Sequence, residues 1–116
     1  MKFLFGAFML DLDTRELRAG DRVIHLVPKA FELLTALIEE RPKVLSKKAL
    51  QARLWPDTFV TEANLSNLIA EVREALDDRP RSSLFIRTAH GFGYAFCGDA
   101  TPVPSQPGVV WNGSTC

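Results

Sequence analysis

The stretch from Thr61 to Leu76 places the strongest constraint on how this chain can fold. Its apolar side chains recur at the i, i+3, i+4, i+7 spacing of an amphipathic helix, so they fall on one stripe of the helix surface. The residues of this stripe are Leu65, Leu68, Ile69, Val72 and Leu76. We expect Thr61 to be the N-cap, with its hydroxyl accepting a hydrogen bond from an amide of the first turn. The remaining chain must then supply a core that covers the stripe.

The opposite face of this predicted helix is small and polar over its first turns. It carries Ala63, Asn67, Ala70, Glu71 and Glu74, with Asn64, Ser66 and Arg73 on its flanks. A face without bulky side chains can lie close to a partner. Its charge is net negative, however, whereas helices that read the DNA major groove usually bring arginine or lysine.

The composition predicts one globular domain. It gives the chain no net positive charge with which to attract a polyanion. The chain has 116 residues, 47% of them hydrophobic, which suffices for one core. Fourteen basic and fourteen acidic residues give a formal charge of zero, so polyanion binding would have to come from local clusters. Neither a signal peptide nor a membrane-length apolar segment is present, and two cysteines suit a reduced compartment. We expect a cytoplasmic protein in which Cys97 is a small buried hydrophobe.

The segments before the amphipathic helix predict a small antiparallel sheet followed by two helices. Phe3 to Leu12 is predicted to be one strand that changes face near Gly6, followed by strands from Thr14 to Arg18 and from Arg22 to Leu26. The first helix should begin at Pro28, a residue that fits the first helical position, and end at Arg41-Pro42.

A short second helix should begin after the N-cap Ser46 and reach Leu54. Loop 56–60 then leads into the amphipathic helix, so that the last two helices form a helix-turn-helix. Downstream, Leu84 to Thr88 and Tyr94 to Phe96 indicate a β-hairpin. We expect Gly91 and Gly93 to supply the positive φ angles of its turn. A hairpin after a helix-turn-helix is the plan of a winged helix.

Basic side chains cluster on both sides of the amphipathic helix. One cluster consists of Arg41, Lys43, Lys47, Lys48 and Arg53, and the other of Arg81, Arg87 and His90. Lys47 and Lys48 stand at the start of a helix, where basic side chains and free amides commonly hold phosphates. The alternative interpretation is that they are ordinary solvated lysines.

Six ordered motifs carry a resemblance to a known family. They are L-x-PKAFELL from Leu26, V-L-S-K-x-x-L from Val44, LWPD from Leu54, EANL from Glu62, REAL from Arg73 and FIRTAHGFGYAF from Phe85. Together they resemble the winged-helix effector domain of OmpR/PhoB-type transcriptional regulators.

The resemblance implies an α+β winged helix-turn-helix fold for residues 1–97, with an N-terminal four-stranded antiparallel sheet, three helices and a C-terminal β-hairpin wing. It also implies that helix 61–76 enters the major groove of double-stranded DNA and that wing 84–96 lies near the minor groove. Trp55 would lie near the phosphate backbone, and loop 56–60 is where relatives can touch RNA polymerase.

The segment from residue 98 to residue 116 is rich in proline and glycine, which is typical of a linker or tail. Its apolar run from Val109 to Trp111 is interpreted as the start of another domain. Response regulators of the family place a receiver domain first, whereas here the first strand begins at Phe3. We therefore expect any sensing domain to follow this linker.

Two functional hypotheses remain open from the sequence. In the first, the chain binds DNA to regulate transcription. Asn64 and Asn67 would then read adenine, and Glu71 would accept from cytosine. The backbone contacts would come from Lys47, Lys48, Trp55, Arg73, Arg87 and His90.

In the second hypothesis, the domain is a protein-interaction module that has lost strong DNA binding. Family members commonly carry basic residues at the positions of Ala63, Ala70, Glu71 and His90. Under the first hypothesis, the weak DNA binding of such a helix would have to be offset by formation of a homodimer.

Enzymatic activity is the least supported class, and we expect no cofactor and no metal. His25 and His90 are far apart, and neither HExxH nor CxxC spacing occurs. Gly91-Phe92-Gly93 opens no predicted helix, so it lacks the context of a phosphate-binding loop.

Overall fold

The computed structural model describes residues 1–78 and 85–103 of the chain. This part of the chain contains three helices and eight strands. In chain order they are β1 (Lys2–Phe5), β2 (Phe8–Asp11), β3 (Glu16–Ala19), β4 (Arg22–Ile24), α1 (Pro28–Glu39), β5 (Leu45–Ser46), α2 (Lys47–Leu54), α3 (Glu62–Ala75), β6 (Ile86–Ala89), β7 (Gly93–Phe96) and β8 (Thr101–Val103). The predicted α+β class and winged-helix architecture are confirmed. No helix of this part is long and apolar enough to cross a membrane.

The N-terminal sheet is antiparallel, with the strand order β4-β3-β2-β1-β8. The prediction of a single first strand was wrong, because the chain reverses at Gly6 and pairs Phe5 with Phe8. Gly6 has a φ of +55°, and a Cβ atom there would lie 2.8 Å from the ring of Phe85. Only glycine combines that conformation with that close approach. The resulting β1–β2 hairpin supplies the fourth strand of the sheet that the resemblance implies.

The first residues of the predicted linker are part of the fold. Strand β8 pairs with β1, so that Lys2 lies opposite Val103. Just before β8, the Ala100 carbonyl accepts a hydrogen bond of 2.7 Å from the Arg41 guanidinium. Ala100 itself is buried in the core. The Val109–Trp111 run lies outside the described residues, so its assignment to another domain stays a prediction.

The predicted helix starts are confirmed, with one correction to the capping. The Ser46 hydroxyl accepts a hydrogen bond of 3.0 Å from the Ala49 amide, as expected of the N-cap of α2. Thr61 occupies the N-cap position of α3, but its hydroxyl makes no capping bond to an amide. It donates instead to Oδ1 of Asn64 at 2.9 Å. The Thr61 carbonyl provides the local backbone contact, accepting from the Asn64 amide.

The core lies between the two sheets and the helices, and aromatic rings connect its parts. The ring of Phe5 lies 5.4 Å from the rings of both Phe85 and Phe96, each in an edge-to-face arrangement. Phe8 stacks on Phe5 from the next strand. Aromatic pairs in this geometry stabilise a fold by more than the burial of their apolar area alone. This cluster therefore joins the N-terminal sheet to the strands of the C-terminal hairpin.

Cys97 is a further correction, because its side chain is exposed and not buried. Its backbone amide donates to the Phe85 carbonyl at 2.7 Å, and this bond continues the pairing beyond the end of β7. Local desolvation raises the pKa of the thiol, and the negative charge of Asp78 raises it further. The thiol is thereby kept in its protonated, less nucleophilic form.

Replacing Phe5 with alanine should remove the ring that joins the two sheets. We expect Phe5→Ala to lower the free energy of unfolding by about 3–5 kcal/mol, the usual cost of such a truncation in a core. Urea denaturation followed by circular dichroism measures this change. Phe59→Ala is the matched control, since Phe59 is fully exposed, and it should change stability by less than about 0.5 kcal/mol. Equal effects of the two substitutions would contradict the bridging role of Phe5.

Candidate nucleic-acid interface

Helix α3 divides into two faces, as its sequence predicts. Leu65, Leu68, Ile69 and Val72 are buried against the core. The exposed side chains of the other face include Ala63, Asn64, Ser66, Asn67, Ala70 and Glu71. The small polar face is therefore open to solvent along most of the helix.

The three side chains predicted to read bases lie on this open face. Asn67 and Glu71 are one helical turn apart, and both are exposed. Asn64 is exposed too, but its Oδ1 atom already accepts a hydrogen bond from the Thr61 hydroxyl. Bidentate recognition of adenine uses both the oxygen and the nitrogen of an amide. Asn67 is therefore better placed for it than Asn64.

The start of α2 brings two lysines beside the start of α3. Nζ of Lys47 lies 3.3 Å from a carboxylate oxygen of Glu62, the first residue of α3. Lys48 is exposed next to it. Surface ion pairs of this kind contribute little to stability, so a phosphate can replace Glu62 as the partner of Lys47 at low cost.

The wing is a hairpin of β6 and β7 in which Ala89 lies opposite Gly93. Gly91 has the predicted positive φ, at +74°. The prediction for Gly93 was wrong, because its φ is not positive. Glycine is required there for a different reason, since a Cβ atom would lie 1.8 Å from the Leu45 carbonyl oxygen. Of the predicted wing residues 84–96, Leu84 lies outside the described residues.

This close approach lets β5 pair with β7 and builds a second sheet with the order β5-β7-β6. Because β5 runs directly into α2, the sheet attaches the start of that helix to the wing. One further bond completes the attachment, as the Lys47 amide donates to the Phe92 carbonyl at 3.0 Å. Sequence spacing alone does not reveal this connection, because β5 is only two residues long.

The basic residues of the wing occupy different positions. Arg87 is exposed on β6, and His90 is exposed in the turn. Arg81 of the same predicted cluster lies outside the described residues. Arg87 and His90 thus present polar groups on the wing, while Lys47 and Lys48 do so at the start of α2.

Arg73 points to the wing. Its guanidinium donates to the Ile86 carbonyl at 3.0 Å and to the Thr88 hydroxyl at 2.7 Å. A phosphate would have to compete with both of these hydrogen bonds for the guanidinium, so the position of Arg73 favours a structural role. It fixes β6 against α3.

Asp78 is a positioning residue that the sequence analysis missed. The side chain is buried, and Oδ2 accepts hydrogen bonds from the amides of Ile86 at 2.8 Å and Phe85 at 3.3 Å. In the sequence it appears only as part of a polar break after α3. Asp78 and Arg73 together attach the wing to the end of the recognition-helix candidate.

The α2–α3 loop presents a separate apolar surface. Trp55 is half-buried and packs against the core at the end of α2. Phe59 in the following loop is fully exposed. A shallow cavity of about 230 Å³ lies between the end of α2 and this loop, lined in part by Gln51, Ala52 and Trp55. No cluster of three or more His, Cys, Asp or Glu suited to a metal occurs in the described part of the chain.

The approach of Gly93 to Leu45 can be tested by adding one carbon atom. We expect Gly93→Ala to lower the free energy of unfolding by about 2–4 kcal/mol, because overpacking costs about 1–3 kcal/mol and lost hydrogen bonds about 1 kcal/mol each. Hydrogen exchange should also show lost protection of the Lys47 amide. Gly20→Ala is the control, since its Cβ position is open but its φ is +64°. It should cost about 1–2 kcal/mol from backbone strain alone and should leave that amide protected. Continued protection in Gly93→Ala would refute the proposed reason for glycine.

The sequence and the fold of this chain are similar to those of known transcriptional regulators. The family described as "Transcriptional regulatory protein, C terminal" matches residues 21–96. The transcriptional regulator HilA of Salmonella typhi is 33% identical over 95 residues, which cover 82% of this chain and 17% of HilA. The response regulator DrrB of Thermotoga maritima, an OmpR/PhoB homologue, matches with a TM-score of 0.77 and 30% identity over 84% of this chain and 44% of that chain.

The DNA-binding domain of Klebsiella pneumoniae RstA, crystallised with the RstA box, has the same fold. Its TM-score is 0.73 at 23% identity, covering 82% of this chain and 95% of that chain. The present chain spans less than a fifth of HilA, so these similarities concern one domain. The family match covers most of the described fold, including all three helices and the wing. This chain therefore belongs to the family of transcriptional regulatory proteins that share this C-terminal winged-helix domain.

Proposed function

We propose that this chain binds double-stranded DNA as the DNA-binding domain of a transcriptional regulator. The observation that carries the proposal is the open, small-residue face of α3, which has lysines beside it at the start of α2 and Arg87 on the wing. Helix α3 would enter the major groove, and the wing would lie near the adjacent minor groove. Similar proteins support the proposal, since HilA is a transcriptional regulator and the RstA DNA-binding domain was crystallised with the RstA box.

Base recognition is assigned to Asn67 first, then to Glu71 and Asn64. Asn67 would contact adenine with both groups of its amide, and Glu71 would accept from the amino group of cytosine. The alanines at positions 63 and 70 allow the helix backbone to come close to the base edges. Asn64 would read adenine only after its bond to Thr61 has been exchanged.

Backbone contacts are assigned mainly to Lys47, Lys48, Arg87 and His90, with Trp55 beside them. The amides at the start of α2 would join the two lysines, as helix amino termini commonly do at phosphates. Arg73 would act indirectly in this scheme, by keeping the wing at a fixed position relative to α3.

The alternative function is that of a protein-interaction module without strong DNA binding. It is favoured by one observation, the exposed Glu62, Glu71 and Glu74 on α3. Family membership favours DNA binding instead. The two functions differ in their dependence on salt, because only phosphate contacts release condensed counterions.

Two further contacts belong to the same proposal. Loop 56–60 would touch RNA polymerase, and the full exposure of Phe59 supports a protein contact there. A homodimer would contact two half-sites on the DNA, and this would offset the weak binding of a single α3, whose charge is net negative. The site of action would be the cytoplasm.

The first test is a salt titration of binding to duplex DNA. If Lys47, Lys48 and Arg87 each neutralise one phosphate, the logarithm of the binding constant should fall with a slope of about −3 against the logarithm of salt, since each contact contributes about 0.9. Fluorescence anisotropy with a labelled duplex measures the slope. Binding that is insensitive to salt, or no binding at low salt, would leave the protein-interaction module as the better assignment.

The second test separates backbone contacts from base contacts. Lys48→Ala should weaken binding to all duplexes equally and reduce the salt slope by about one. Asn67→Ala should change the preference at one base position, with a loss of about 1–3 kcal/mol for the preferred base. Selection from a random duplex library, repeated with each variant, measures both effects.

The charge-matched control for Lys48→Ala is Arg22→Ala, because Arg22 is exposed on β4 at the edge of the other sheet. It removes the same formal charge without touching α2 or the wing. If Arg22→Ala weakens binding as much as Lys48→Ala, the effect reflects net charge, and the assigned role of Lys48 is wrong.

A further inference from the structure

The tip of the wing carries an apolar side chain that the proposed contacts do not use. Phe92 lies in the turn between β6 and β7, and 55% of its side chain is exposed. Turns at such tips usually contain small or polar residues. The exposed part of this ring remains in contact with water in the free domain, so a partner that covered it would gain the benefit of burying apolar area.

The backbone of Phe92 is held in place from two directions. Its amide donates to the Ala89 carbonyl at 2.9 Å, and its carbonyl accepts from the Lys47 amide at 3.0 Å. The wing is also bonded to α3, because the guanidinium of Arg73 donates to the Ile86 carbonyl and the Thr88 hydroxyl. The ring is therefore attached to a backbone that is fixed relative to both α2 and α3. A preorganised group loses less conformational freedom when it binds.

The two neighbours of Phe92 are glycines, so the ring has no side chains beside it along the chain. Gly91 forms the turn, and Gly93 is held against Leu45. The minor groove of B-DNA is only about 6 Å wide, so a ring without side chains beside it along the chain is suited to enter it. Minor-groove proteins often insert a Phe, Leu, Ile, Met or Pro between two base pairs, which partly unstacks them and bends the duplex.

We propose that Phe92 is an apolar wedge that enters the minor groove at the wing and partly unstacks one base step. This inference rests on the proposed function, because it requires that the wing lies along a duplex. TA and CA/TG steps kink more easily than stiff A-tracts. The wedge therefore gives the domain a preference for these flexible pyrimidine–purine steps at a position where no side chain contacts a base edge. Asn67 and Phe92 then contribute to specificity by different means, direct contact and DNA deformation.

The experiment uses the 116-residue chain and a duplex selected by the wild type from a random library. Hydroxyl-radical footprinting locates the minor groove covered by the wing. Two versions of the duplex are then made, with either a TA step or an A-tract at that place. Affinity is measured by anisotropy, and bending by energy transfer between dyes at the two ends of the duplex.

The wild type should bend the duplex and prefer the TA version. Phe92→Ala should abolish both the bend and the preference, and weaken binding to the TA version about tenfold, which corresponds to about 1.4 kcal/mol. Phe92→Leu keeps an apolar wedge and should retain most of the bend. Leu4→Ala, which truncates an exposed apolar side chain on the other sheet, should behave like the wild type.

Other results overturn the inference in distinguishable ways. If Phe92→Ala binds and bends DNA like the wild type, the wedge is refuted while the DNA-binding function stands. If the wild type shows no salt-dependent duplex binding, both are refuted. If Phe92→Ala changes only the oligomeric state in sedimentation, the ring is a contact between two copies and not a wedge. Unchanged circular dichroism and urea midpoints of the variants establish that each of them is folded.

Discussion

The contact between Gly93 and the Leu45 carbonyl holds the candidate interface together. It allows a two-residue strand to pair with the wing, and that strand continues directly into α2. The amide of the first residue of α2 then bonds to the wing tip, while its side chain reaches the first residue of α3. The wing and the start of α2 are thus joined by a single backbone approach that tolerates no side chain.

A second group of contacts holds the same elements from their buried side. Arg73 and Asp78 attach β6 to the end of α3, and Phe5 joins Phe85 and Phe96 to the N-terminal sheet. None of these groups needs to face a ligand, yet each of them determines where the wing lies relative to α3. This division explains how α3 can present small side chains outward, because its position is maintained from the buried side.

The helices were well predicted because their signals are local. The apolar stripe of α3, Pro28 at the start of α1 and the Ser46 cap each act within one or two turns of chain. The sheet was predicted less well. Gly6 was read as a change of face, although its positive φ and the nearby Phe85 ring make it a reversal. Strand β8 was assigned to a linker, since three residues that include a proline carry no periodicity and pair only because β1 offers a free edge.

The candidate site, like the fold, has features set by local sequence and features set by tertiary contacts. The sequence by itself determined which side chains α3 exposes, including Asn67 and Glu71, because helical periodicity places them opposite the buried stripe. Only the tertiary structure decided that Arg73 serves the wing, that Asp78 caps the start of β6, and that Gly93 is required for space and not for its φ angle. The physical reason is that these contacts join residues of different elements outside any helical or strand period. Their partners become neighbours only after the sheets and helices have packed.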